Sequence, residues 1–286
     1  MEEQNIDILE RIHASYYQLT ATERKVADYV LSHIGQVQFM SITQLADECG
    51  TADASISRFC RSLKLKGFNA FKLELAQYAA ASQVAGLGDG RTADTATLEG
   101  RCQETGRLAQ EAVSQTIDLV NAEDIRKTVA LFEKANRVLC MGSGGSMLMA
   151  QECAHLFSTV TDKFYALGDS HIQASAVAIM NPKDVIVLFS YSGATTGGLQ
   201  VLELAKQRGI HTVLVTRFPK SPAASLAEVV LRCGSNESPV QIGSVSAKVA
   251  QLLVMDLLYQ EYYHRNQEVC DRNRKAIADS LTGMHV

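Results

Sequence analysis

The chain has 286 residues, of which 47% are hydrophobic and 20% charged, and its net charge is −4. That length suits one large domain or two ordinary ones, and the apolar share is enough for packed cores. No uncharged apolar run reaches the roughly 18 residues of a transmembrane helix, and the acidic start Met1-Glu2-Glu3-Gln4 is unlike a secretory signal, so the expectation is a cytoplasmic protein with no membrane partner.

Residues 1–81 read as helix throughout. Thr20-x-x-Glu23 is a capping box that opens a helix over 21–34. Ser41-x-x-Gln44 repeats the device, opening a short helix over 42–49 that Gly50 closes. A further helix follows at 53–65, Gly67 breaks it, and Asn69 caps another that runs to about 81. A short helix, a tight glycine turn and a second helix form the layout of a helix-turn-helix, whose second helix enters the DNA major groove. Ile42, Leu45 and Ala46 on the first helix, with Ile56, Phe59, Cys60 and Leu63 on the second, are spaced to pack together.

The opposite face of the second helix presents Ser57, Arg58 and Arg61, with Ser55 and Lys64 flanking. Lys66 and Lys72 extend this run, and no acidic residue falls between 54 and 73. Arginine suits bidentate contact with guanine, while serine and lysine suit phosphates or base edges. A net negative chain does not coat nucleic acid, but a local basic run favours one anionic contact surface. A plain helical hairpin with a solvated charged face fits the same spacing.

Leu45-Ala46-Asp47-Glu48-Cys49-Gly50, Ser55-Ile56-Ser57-Arg58-Phe59-Cys60-Arg61 and Leu65-Lys66-Gly67-Phe68 with Phe71-Lys72 resemble the N-terminal domain of the RpiR family of bacterial regulators. The resemblance implies DNA binding through Ser55, Ser57, Arg58, Arg61, Lys64 and Lys66. One departure is Ala52, where the family carries a serine that caps the second helix; Thr51 or Asp53 is expected to take over that role.

Residues 82–97 are rich in Gly, Ser, Thr and Asp and read as a linker between a 1–81 domain and a 98–286 domain. Helical segments at 98–120 and 122–135 follow. Strand signals at 137–141, 163–167, 185–190, 212–216 and 229–232 then alternate with helix signals at 146–160, 171–180, 196–208 and 221–226, and a long helix spans 244–265. This alternation predicts an α/β domain, a five-stranded parallel sheet covered by helices on both faces.

Two strand ends carry polar, glycine-containing loops. Val185-Ile186-Val187-Leu188-Phe189 delivers Ser190-Tyr191-Ser192-Gly193-Ala194-Thr195 into a helix. A helix N-terminus offers amides and a positive dipole end to an anion, and three hydroxyls without a cation suit a phosphate monoester. The strand at 137–141 leads likewise into Gly142-Ser143-Gly144-Gly145-Ser146. A dinucleotide fingerprint needs a third glycine where Met147 stands, which makes that reading poor even with Asp162 further on. Plain turns or helix caps have the same composition.

Together the loops resemble those of the SIS (sugar isomerase) domain, over roughly 122–265. The resemblance implies that Ser190, Ser192 and Thr195 hold a phosphate, that Gly193 lets the backbone approach, and that Ser143, Gly144 and Ser146 help bind phosphate or sugar hydroxyls. A helix-turn-helix followed by a SIS domain is the RpiR order. In the isomerase domain of glucosamine-6-phosphate synthase a glutamate base precedes the last helix, and here Gln241 falls at that place in Val240-Gln241-Ile242-Gly243. An amide bonds a sugar hydroxyl but accepts no proton at neutral pH; Glu237 lies four residues earlier.

His155, His171 and Cys153 assemble no alternative chemistry. The seven cysteines (Cys49, Cys60, Cys102, Cys140, Cys153, Cys233, Cys270) show no Cys-x-x-Cys pair and most read as reduced core residues, with no metal and no cofactor expected. The expectation is a transcriptional regulator, not an enzyme, that binds operator DNA and senses a sugar phosphate. The family implies a homodimer or homotetramer, and a two-fold dimer a roughly palindromic operator. The alternative is a phosphosugar isomerase with an accessory helical domain.

Overall fold

Short-range sequence signals set most helix ends in the computed structural model, which describes residues 8–84, 97–235 and 244–282. The N-terminal unit is helical: α1 (Ile8–Ser15), α2 (Ala21–Ser32), α3 (Ile34–Val37), α4 (Ile42–Glu48), α5 (Asp53–Ser62) and α6 (Phe68–Val84). Both expected capping boxes form. The Glu23 N–H donates to Thr20 Oγ1 at 3.3 Å and the Thr20 N–H donates to Glu23 Oε2 at 2.9 Å. Gln44 and Ser41 make the same pair at 3.1 and 2.9 Å. Val26, Val30, Leu45, Ile56, Phe59, Leu63 and Phe71 are fully buried, with Phe59 edge-on to Phe71 at 5.5 Å.

Helices α4 and α5 end alike, in Schellman motifs: the Thr51 N–H donates to the Ala46 carbonyl at 2.8 Å, and the Leu65 N–H to the Cys60 carbonyl at 3.0 Å. The left-handed residue is Gly50 (φ 60°) in the first and Lys64 (φ 59°) in the second. That turn stops α5 at Ser62, three residues short of the expected 65.

The rest of the chain runs α7 (Leu98–Leu119), α8 (Ala122–Lys134), β1 (Val138–Gly142), α9 (Gly145–Ser158), β2 (Phe164–Leu167), α10 (Ser170–Ile179), β3 (Val185–Phe189), α11 (Thr196–Gln207), β4 (His211–Thr216), β5 (Val229–Arg232), α12 (Val245–Arg265) and α13 (Gln267–Leu281). The division into compact units falls within α7, between Glu104 and Thr105. The five strands are parallel, in the order β2-β1-β3-β4-β5. Strand alternation sends Val138, Cys140, Val187 and Val213 into one core with α8, α9 and α12. Leu139, Met141, Ile186, Leu188 and Leu214 enter another with α10 and α11. The result is the expected three-layer α/β/α arrangement, and β1 and β3 are apolar throughout because both their faces are covered.

Two further segments differ from the sequence reading. Residues 221–226 form successive turns, not a helix. Pro222 has no N–H, and the Ala223 N–H is engaged by the Gly193 carbonyl at 2.9 Å, outside any helical ladder. The unexpected α13 begins after Asn266 (φ −122°), which breaks α12 without a glycine or proline to announce it. No helix among the described residues is long and apolar enough to cross a membrane.

Candidate functional site

The first surface is the outer face of α5 and the turn that follows. Arg58, Arg61, Lys64 and Lys66 are exposed and Ser57 is half-buried. Ser55 is not part of that face. It is 5% exposed, because it lies one helical turn before Phe59 and shares its inward side. Its hydroxyl accepts from Arg58 Nη2 at 2.9 Å, so it steadies the arginine instead of reaching outward. Lys72 also turns in: burial pulls its ammonium down to about 8, and it packs over the Phe68 ring at 5.7 Å.

Neither Thr51 nor Asp53 caps α5. The N-cap is Ala52 (φ −95°, ψ 154°), with no side-chain acceptor. The Thr51 hydroxyl is buried without a hydrogen-bond partner, and Asp53 Oδ2 accepts from the Thr43 hydroxyl at 3.0 Å, tying α5 to α4. In the first turn the Asp53 charge still favours the helix dipole. From below, Glu23 of α2 accepts from the Ser62 hydroxyl at 2.8 Å. Burial pushes the Glu23 carboxyl up, but bonds from Thr20 and Ser62 and the nearby Arg58 charge outweigh it, and the group sits below its ordinary value.

The second surface lies at the C-terminal edge of the sheet. Gly142 pairs in register with Phe189, so the loops after β1 and β3 start side by side. From β1 the sheet extends to β2 on one side and to β3, β4 and β5 on the other. That reversal opens the crevice where open α/β sheets hold ligands. Ser143, Gly144 and Ser146 come from one loop, and Ser190, Ser192, Gly193 and Thr195 from the other. The Ser190 and Thr195 hydroxyls are 3.4 Å apart; Ser192 is exposed, its Oγ accepting from the Ala194 N–H at 3.3 Å. Helices α9 and α11 begin behind Gly144 and Thr195, and neither N-cap contributes a side-chain acceptor. In α9 the Ser146 and Met147 N–H groups already donate to the Ser143 and Gly144 carbonyls at 3.1 and 3.0 Å, so the start of α11 is the better placed for an anionic acceptor.

Close packing fixes both loops. A Cβ at Gly142 would sit 2.6 Å from the Ser146 carbonyl oxygen. At Gly193 (φ 59°) a Cβ would sit 2.0 Å from Ser221 Oγ and 2.5 Å from Ser221 Cβ. Only glycine lets the β3 loop lie this close to the 218–223 turns.

Three further residues shape the crevice, of which Gln173 and Arg217 were not anticipated. Gln173 Nε2 donates to the carbonyls of Gly142 (3.0 Å) and Leu167 (2.7 Å), joining the ends of β1 and β2. Arg217 brings a cation where none was expected: its N–H donates to the Tyr191 carbonyl at 3.1 Å and its Nε to the Ser235 carbonyl at 3.0 Å. Tyr191 donates its hydroxyl to the same Ser235 carbonyl at 2.7 Å. Arg217 follows β4 directly, so the rule that strand C-termini line the crevice points to it; nothing in the sequence points to Gln173. His171 is exposed at the start of α10, with its N–H held by Asp169 Oδ1 at 2.9 Å. His155 is exposed and 3.5 Å from Glu152. Gln241 and Glu237 lie outside the described residues. Among the described residues no group of three His, Cys, Asp or Glu is arranged to hold a metal ion.

Residues 6–82 match the helix-turn-helix domain of the rpiR family, and residues 131–260 match the SIS domain. An HTH-type transcriptional regulator of Caldanaerobacter subterraneus is 31% identical over 253 residues, 88% of this chain and 89% of its own. The Vibrio vulnificus NanR protein complexed with ManNAc-6P is structurally similar with a TM-score of 0.86, at 24% identity, over 98% of this chain and 100% of its own. A Methanococcus jannaschii protein with an inferred 3-hexulose-6-phosphate isomerase function has a TM-score of 0.51 at 16% identity, over 61% of this chain and 96% of its own. The structural likenesses show the fold.

Proposed function

The chain belongs to the rpiR family of helix-turn-helix transcriptional regulators, and on that footing we propose which residues do the work and what they bind. In this reading Arg58 and Arg61 reach base edges in the major groove, Ser57, Lys64 and Lys66 hold phosphates, and Ser55 acts only through Arg58. The effector is a sugar phosphate. Its phosphate rests on Ser190, Ser192 and Thr195 at the start of α11, and its sugar faces Ser143, Gly144, Ser146 and Gln241. The observation that carries this is the crevice at the sheet reversal, where two hydroxyl-bearing loops each open a helix whose N-cap lacks a side-chain acceptor.

The Gln241 amide in place of a carboxylate base supports sensing without turnover, and DNA as partner supports work in the cytoplasm. A homodimer or homotetramer on a roughly palindromic operator follows from the family. The effector changes DNA affinity by binding two conformations unequally.

The test has two arms. Thermal-shift measurements against a panel of hexose, pentose and N-acetylamino-sugar phosphates, ManNAc-6P among them, should find one that stabilises the chain, by about 2.7 kcal/mol at a hundredfold excess over Kd. Ser192→Ala should weaken that ligand. In the second arm, DNA from upstream of the chain's own gene should bind in a salt-sensitive way, and Arg58→Ala with Arg61→Ala should cost roughly 1–3 kcal/mol per lost bidentate contact. Turnover of any panel member together with no DNA binding would establish the isomerase instead.

A further inference from the structure

We infer that Gln115 and Thr116 of α7 are coupling residues, linking the β3 loop through the Ser235 backbone to the helix that joins the two units in sequence. The proposal rests on the reading that the 190–195 loop binds phosphate. Ser235 is 4% exposed and holds φ at 134°, a value that residues with a side chain rarely adopt. Every polar group it offers is engaged by a different element. Its carbonyl accepts from the Tyr191 hydroxyl at 2.7 Å and Arg217 Nε at 3.0 Å. Its N–H donates to Gln115 Oε1 at 3.2 Å, and its hydroxyl to Ser246 Oγ of α12 at 3.3 Å.

The preceding residue tightens the junction. The Gly234 N–H donates to Thr116 Oγ1 at 2.9 Å, and that hydroxyl donates in turn to the Ala112 carbonyl at 2.6 Å. A Cβ at Gly234 would lie 2.4 Å from Gln115 Cβ and 2.6 Å from the Thr116 nitrogen, so strand exit and helix are in direct contact.

Tyr191 stands between Ser190 and Ser192, so a shift of the phosphate loop moves its hydroxyl. That hydroxyl and α7 grip the two peptide groups on either side of the Ser235 Cα, which holds a strained conformation. Such a conformation persists only while its surroundings over-determine it. Loss of the grip at either end lets Ser235 return to ordinary backbone, which supplies the two discrete arrangements that coupling requires. The first seven residues of α7 group with the N-terminal unit.

Hydrogen exchange on the full chain tests this with two conservative variants. Tyr191→Phe should speed amide exchange over 112–119 about fivefold, the worth of one net hydrogen bond. Thr116→Val should do the same over 190–195, with β1 and β3 unchanged in both. Millimolar inorganic phosphate should slow exchange at both segments in the parent chain, and at 190–195 alone in Tyr191→Phe. The inference is overturned if each variant changes only its own segment, or if both raise exchange evenly across β1, β3 and α12. Phosphate that protects neither segment, with the reciprocal effects intact, would refute the phosphate reading and leave the coupling standing.

Discussion

Replacing Gly193 by alanine should distort the crevice between the β1 and β3 loops while leaving the DNA-binding helices folded, and the neighbouring distances set the cost. The new methyl would lie 2.0 Å from Ser221 Oγ, 2.5 Å from Ser221 Cβ and 3.3 Å from Thr216 Oγ1. Ser221 is 2% exposed and cannot swing away without breaking its turn. Overpacking of this kind costs about 1–3 kcal/mol, and holding alanine at a left-handed φ adds about 1 kcal/mol. A total of about 2–4 kcal/mol should lower the melting temperature of the C-terminal unit by roughly 5–15 °C.

Ser221→Gly removes both of the closest atoms. In that background Gly193→Ala should cost only the left-handed penalty of about 1 kcal/mol, a coupling of about 1–3 kcal/mol between the sites. Urea unfolding of the four members of the cycle, each repeated with the stabilising sugar phosphate, measures it. Equal costs of Gly193→Ala in the two backgrounds would show that the contact with Ser221 does not fix the loop.

Lys64→Gly should stabilise the N-terminal unit by about 1 kcal/mol by relieving the left-handed backbone, yet weaken operator binding and make its salt dependence shallower by about one phosphate contact. A full salt slope in that variant would place Lys64 away from the DNA. Ala52→Ser should add about 1 kcal/mol by capping α5; an unchanged urea midpoint would mean the first-turn amides are already satisfied. The Glu23 carboxyl is lower in the folded chain than its ordinary 4.5, so its stabilisation is fully present above that value and fades as pH falls through the folded one. Glu23→Gln should therefore flatten this part of the acid branch of the stability profile, and an unchanged acid branch would deny Glu23 its role.

How legible a feature was depended on how far its cause lay along the chain. Capping boxes, the Gly50 turn and the strand runs are set by residues within a few positions, and they form where the spacing places them. Ser55 was misplaced because its polarity was weighed above its position, one turn from Phe59 and beside Ile56. Lys72 was counted as surface charge although α6 turns it against Phe68. The 221–226 turns look helical by composition, and the bond from the Ala223 N–H to the distant Gly193 carbonyl, which ties them to the β3 loop, has no local signal. Gln173 and Ser221 touch the two loops from 31 and 28 residues away, as the Gln173–Gly142 bond and the Gly193–Ser221 contact show, and no local pattern announces such partners.

The two glycine loops differ in what they permit over evolutionary time. Gly193 is confined by a side chain, so a lineage can alter it by first trimming Ser221. Gly142 is confined by the Ser146 backbone carbonyl, and no exchange of side chains moves a main chain out of the way. The shape of the β1 loop is thus closed to gradual change, and on the proposed reading a descendant that comes to answer a different sugar has to get there through side chains such as the exposed Ser143 and Ser192, keeping the loop beneath them as inherited.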